Sequence, residues 1–185
     1  MANKKIWVGI LFEFIAIIAV IGFSMTSCSG GGGKSFNSAE ALKKYLDSQP
    51  ANSPDKPIKV TMNANDKMIE DISEAIRTSN KYVSLNFSGN TLTEIPPAGF
   101  GEWALGTRCN TLVSVTIPAS VTNIWAFAFA ECENLTRVTF QGTIDKNNFF
   151  ANAFEGDLYF QYFTGGIGTY IRPNNNSSRW MKLVD

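Results

Sequence analysis

Histidine is absent from this 185-residue chain. With it go the commonest general base at neutral pH and the commonest nitrogen ligand for metals. A Ser-His-Asp triad and a Cys-His dyad are both excluded, because each needs an imidazole to take the nucleophile's proton. Cysteine is scarce: Cys28, Cys109 and Cys132 are the three in the chain. Two thiols without nitrogen partners make a poor zinc site, and an odd number leaves one cysteine to be explained. Charge of one sign is also missing, since sixteen basic and sixteen acidic residues cancel and are scattered. No basic stripe is present to follow a nucleic-acid backbone, and no acidic tail to engage a basic partner.

What the chain does have is one apolar run near its start. Lys4 and Lys5 precede Ile6 to Phe23, "IWVGILFEFIAIIAVIGF", which Glu13 alone interrupts. Residues of small or modest size, Met25-Thr26-Ser27, then lead to Cys28, and Gly30 to Gly33 follow. This order of charge, grease and small residues is that of a secretory signal. Read instead as an uncleaved anchor, this eighteen-residue run is nearly long enough to span a bilayer, but no positive cluster closes the far side. The stretch "MTSC" resembles the lipobox of bacterial lipoproteins. That resemblance implies cleavage before Cys28, a thioether-linked diacylglycerol on its sulfur and usually a third acyl chain on its amine. Two or three chains hold a membrane stably where one binds reversibly, and the glycines supply a flexible leash. Residues 1–27 thus read as a lipoprotein signal peptide and 28–35 as lipidated cysteine plus tether. Ser29 is not the aspartate that commonly retains such lipoproteins at the inner membrane, so the expected location is the cell outer membrane.

The middle of the chain repeats itself. "CNTLVSVTIPASVTNI" from Cys109 aligns with "CENLTRVTFQGTI" from Cys132 at an offset of 23, matching Leu112 to Leu135, Val115 to Val138 and Ile117 to Phe140. An earlier copy places Val83 to Phe87 thirty residues before Val113 to Ile117, and Ile95 and Phe100 twenty-nine before Ile124 and Phe129. A third, weaker copy takes in Phe149, Ala153 and Phe154. No such unit can bury its apolar side alone, so neighbours must stack. A short strand per unit, with Leu112, Val115 and Ile117 pointing inward, gives parallel strands.

The stretch "SVTIPASVTNIWAFAFAECENLTRVTF" resembles the BspA-like leucine-rich repeats of bacterial surface proteins. Leu112, Val115, Ile117, Pro118, Val121, Ile124, Ala128, Phe129 and Cys132 fall on the family's pattern, and Trp125 stands where it usually has glycine. The resemblance implies an α/β fold: a short leucine-rich-repeat solenoid over residues 81–154, closed by a C-terminal cap at 155–185. It also implies adhesion between bacteria or attachment to host matrix or cells. Residues 36–80 read as an N-terminal α/β cap. Asn37 with Glu40 is a capping-box start for a helix through Leu46. Ile58 to Met62 alternates like a strand. Asn65 or Asp66 can cap a second helix with Met68, Ile69, Ile72, Ala75 and Ile76 on one apolar stripe.

Cys109 and Cys132 read as buried repeat positions, with a disulfide between them left open for an exported protein. Glu131, Glu133, Glu155 and Asp157 read as solvated charges. "SGGGGKS" lacks the Walker register. Alternate strand positions, Ser84, Asn86, Ser114, Thr116, Arg137 and Thr139, form a polar strip suited to a protein partner. Trp125 and Phe127 either project outward as a contact patch or pack beneath residues 101–108, against Trp103. The reading is a non-catalytic, lipid-anchored protein with no cofactor beyond the covalent lipid on Cys28, and no metal or nucleic-acid partner. It contacts the membrane through that lipid and a host-matrix, cell or envelope protein through its repeats. It is surface-exposed or, as the alternative, periplasm-facing in an envelope-assembly role.

Overall fold

Segments in which every second residue is apolar become strands, because successive side chains leave a strand on opposite faces. The computed structural model describes residues 33–101 and 108–184. Its elements in chain order are β1 (Lys34–Phe36), α1 (Ala39–Asp47), β2 (Ile58–Asn63), α2 (Ile69–Ser79), β3 (Val83–Ser88), β4 (Glu94–Ile95) and β5 (Leu112–Ile117). They continue with β6 (Asn123–Ile124), β7 (Arg137–Phe140), α3 (Leu158–Gly165), β8 (Gly168–Ile171) and β9 (Met181–Lys182). The main sheet has seven strands in the order β1-β2-β3-β5-β7-β8-β9. Its first five strands run parallel and its last two antiparallel. A second, two-strand parallel ladder joins β4 to β6. The architecture is mixed α/β with a mostly parallel sheet that does not close into a barrel.

Residues matched in sequence lie side by side in space. Val115 pairs with Val138 and Ile117 with Phe140, at the 23-residue offset. Ser84 pairs with Ser114 and Asn86 with Thr116 at thirty, while Val83 pairs with Leu112 at twenty-nine, so a bulge sits between Val83 and Ser84. On the narrow side the offset differs. Ile95 pairs with Ile124 at twenty-nine, but bridges join Ile124 to Phe149 and Phe129 to Phe154 at twenty-five. The longer span to Phe149 contains a 3-10 turn, Lys146–Asn148, capped by Asp145. Gly142 is required where consecutive turns touch: a Cβ there would stand 2.6 Å from the Cα of Ala119.

Between the two ladders lies one contiguous core that includes Leu112 and Leu135, both buried. Inward residues of the main sheet, among them Met62, Leu85, Val115, Val138 and Phe140, line one wall. Through the middle run Phe100, Phe129 and Phe154, stacked at centroid distances of 5.2 and 4.6 Å. Offset ring stacks of this kind add to the burial of their area.

The open edges of the ladders carry unpaired backbone groups, and side chains satisfy several of them here. At the first end the Asp66 carboxylate accepts the Thr93 and Glu94 N–H groups at 2.7 and 3.0 Å and the Thr93 hydroxyl at 2.7 Å. This occupies the edge of β4. At the other end the Tyr162 hydroxyl accepts the Ile144 N–H at 2.9 Å and donates to the Gly142 carbonyl at 3.0 Å. Buried Arg172 donates to the carbonyls of Leu135 and Glu133 at 2.7 Å, Cys132 at 3.3 Å and Ser177 at 3.2 Å, and lies over the Trp180 ring.

Three local expectations are corrected. Helix α1 is capped by Ser38, whose extended backbone aims its hydroxyl at the Ala41 N–H, so the start falls one residue after Asn37. Lys34 and Ser35, read as tether, belong to β1, which pairs with β2. Asn65 caps the turn before α2, accepting from Lys67, while Asp66 serves β4. The α2 stripe is as expected, with Ile69, Ile72, Ala75 and Ile76 buried and Met68 half-buried.

Candidate binding face

A parallel sheet uses every interior backbone group in its own ladder, so what its open face offers a partner is side chains. The register sets these in two rows across the strands. One row reads Lys59, Ser84, Ser114, Arg137, Ile171. The other reads Ser35, Thr61, Asn86, Thr116, Thr139, Thr169. Neighbours within a row touch: the Ser84 and Ser114 hydroxyls are 2.5 Å apart and those of Thr139 and Thr169 are 2.9 Å apart. All six residues of the expected polar strip, Ser84, Asn86, Ser114, Thr116, Arg137 and Thr139, line a single open groove of about 570 Å³. Lys59 and Thr61 extend it onto β2, a strand that the sequence reading assigned to the cap.

Trp125 and Phe127 stand elsewhere. They follow β6 on the narrow ladder and do not line the groove. Trp125 is half-buried, stacks on Phe150 at 5.4 Å and donates its indole N–H to Glu94 at 2.8 Å. This ring partner sits at the 25-residue offset, and the packing expected beneath residues 101–108 lies outside the described residues. Trp125, which stands at the family's glycine position, does not itself take a left-handed backbone. The left-handed backbone falls on Phe127, φ 60°, and on its counterpart Ala98, φ 52°. Phe127 is 39% exposed. Trp103 lies outside the described residues, as does Cys28.

Cys109 and Cys132 are both buried and free. The Cys132 Sγ donates to the Phe100 carbonyl at 3.2 Å, and the Cys109 N–H donates to the same oxygen at 3.0 Å. Burial pushes the Cys109 thiol up to about 11 and the Cys132 thiol well above its ordinary value. Thiols so placed withhold the thiolate that nucleophilic chemistry needs. The acidic residues near this end are engaged at the surface. Arg108 meets Glu131 at 3.2 Å and Glu133 at 3.5 Å, and Glu155 accepts the Glu131 N–H at 3.0 Å. Asp157 accepts the Trp180 N–H at 2.7 Å.

Among the described residues no cluster of His, Cys, Asp and Glu is arranged to hold a metal, and no helix is long and apolar enough to cross a membrane. Comparison of the chain with protein-family models, with curated proteins and with solved structures gives no match.

Proposed function

We propose that this protein is a lipid-anchored, non-catalytic bacterial surface protein: a short leucine-rich-repeat solenoid of the BspA-like kind. Its open sheet face binds a protein partner in adhesion to host matrix, host cells or other bacteria. One observation carries the binding reading. Six polar residues from three strands, thirty and 23 residues apart in sequence, align into one groove. The anchor reading rests on the order of residues from Lys4 to Gly33, with Cys28 as the lipidated position.

Protease added to intact cells tests the location. A surface protein is trimmed at once, whereas protection until the outer membrane is broken favours the periplasm-facing assembly role. Cys28→Ser should release the protein from the detergent phase. The binding reading is tested by capture from host-matrix and envelope extracts with wild type and with Thr116→Trp, which places a bulky neutral ring mid-groove. A partner held by the face is lost in the variant.

A further inference from the structure

The groove carries charge of one sign only. Lys59 and Arg137 are its two charged side chains, and no carboxylate lines it. Both are exposed, and neither forms an ion pair among the described residues. Between them on the same row stand the hydroxyls of Ser84 and Ser114. The adjacent row supplies Asn86, Thr116 and Thr139, groups that both donate and accept. Balanced charge over the whole chain makes this local excess a property of the face.

Spacing narrows the occupant further. Lys59 and Arg137 are three strand steps apart, from β2 through β3 and β5 to β7. At about 4.8 Å per step this is about 14 Å. An extended peptide rises about 3.4 Å per residue and turns alternate side chains the same way, so residues i and i+4 span that distance on one side. No aromatic ring lines the groove, so it lacks the flat apolar platform on which a sugar ring would stack. Resting on the reading of this face as the partner surface, we infer that it binds an extended acidic peptide segment lying across the strands. Two carboxylates four residues apart meet Lys59 and Arg137, and the peptide's backbone bonds to the hydroxyl rows.

The test uses the purified full chain in detergent micelles and two labelled nonapeptides, TSETSTETS and its neutral counterpart TSQTSTQTS, read by fluorescence anisotropy. The acidic peptide should bind about tenfold more tightly than the neutral one, as two exposed ion pairs allow. That preference should fade in 1 M salt, where the Debye length falls to about 3 Å. It should disappear in Lys59→Ala/Arg137→Ala and persist in Arg137→Lys. Both alanine positions are exposed, so the thermal midpoint should stay unchanged and serve as the folding control. Equal affinity for the two peptides, no binding of the acidic one, or a preference that survives the double substitution overturns the inference. So does capture of heparin in place of the peptide by the same two cations, which would assign the face to an anionic glycan. A partner from extract that is lost in Thr116→Trp but kept in the double variant would retain the binding face and reject its acidic specificity. A partner kept in Thr116→Trp would reject the face itself.

Discussion

Phe100 and Phe129, twenty-nine residues apart in the chain, stack with ring planes 1° from parallel and centroids 5.2 Å apart. Phe154 continues the column beyond Phe129. The middle ring therefore has an aromatic neighbour on both sides and cannot be removed without opening a void between them.

Phe129→Ala should cost about 3–5 kcal/mol, lowering the thermal midpoint by about 10 °C or more for a chain of this size. Leu135→Ala, in the same core, should cost about 2–5 kcal/mol. Phe160, which is 65% exposed, is the control, and its alanine variant should stay within about 0.5 kcal/mol of wild type. Calorimetry of the three variants checks this. A Phe129→Ala protein melting like wild type would contradict the column.

Arg172→Ala should destabilise by about 3–5 kcal/mol, because it strands the Cys132, Glu133 and Leu135 carbonyls at the closing end. Arg172→Lys should restore less than half of the loss, since a single ammonium cannot reproduce the fork of the guanidinium. Urea midpoints of the two variants separate this fork from a requirement for charge alone.

Burial raises the Asp66 carboxyl, but hydrogen bonds from the Thr93 and Glu94 N–H groups and the Thr93 hydroxyl outweigh it and hold it below its ordinary value. A lowered folded pKa means stability that is present above the unfolded value, about 3.9, and lost as pH falls through the folded one. Asp66→Asn should therefore be less stable than wild type at pH 7, with the gap narrowing below about pH 4. A gap unchanged at pH 3 would show that the ionised form contributes nothing.

The raised thiol of Cys109 has the opposite consequence. The unfolded chain releases that proton near pH 8.5, whereas the folded protein holds it to about 11. Stability is therefore full below the first value and declines toward the second. Cys109→Ala should flatten this alkaline decline. At pH 8, iodoacetamide should label Cys109 and Cys132 in urea far faster than in the native protein. Fast native labelling would mean the thiols are not sealed in.

The parallel ladders were readable because identical residue types recur at one offset. Leu112 with Leu135 and Val115 with Val138 need only alignment to be placed side by side. The polar strip followed from the alternation of those same strands. Where the offset changes, the reading stopped. Trp125 meets Phe150 only if the narrow side is compared at twenty-five residues, a spacing that Ile124 with Phe149 and Phe129 with Phe154 already carry in the sequence. β1 leaves no signal of its own, because three residues after a glycine run hold too little alternation, and pairing with β2 defines the strand. Arg172 left no signal at all. Its importance comes from carbonyls about forty residues earlier, which only the folded chain brings near it.

The reversal of direction between β7 and β8 decides how such a molecule can lengthen. A duplicated unit spliced in after β7 would meet a neighbour running the wrong way and displace the seat of Arg172. Spliced between β5 and β7, it finds parallel company on both sides and leaves both termini as they are. Larger versions of this protein, whether arising by duplication or made in the laboratory, should grow from their middle.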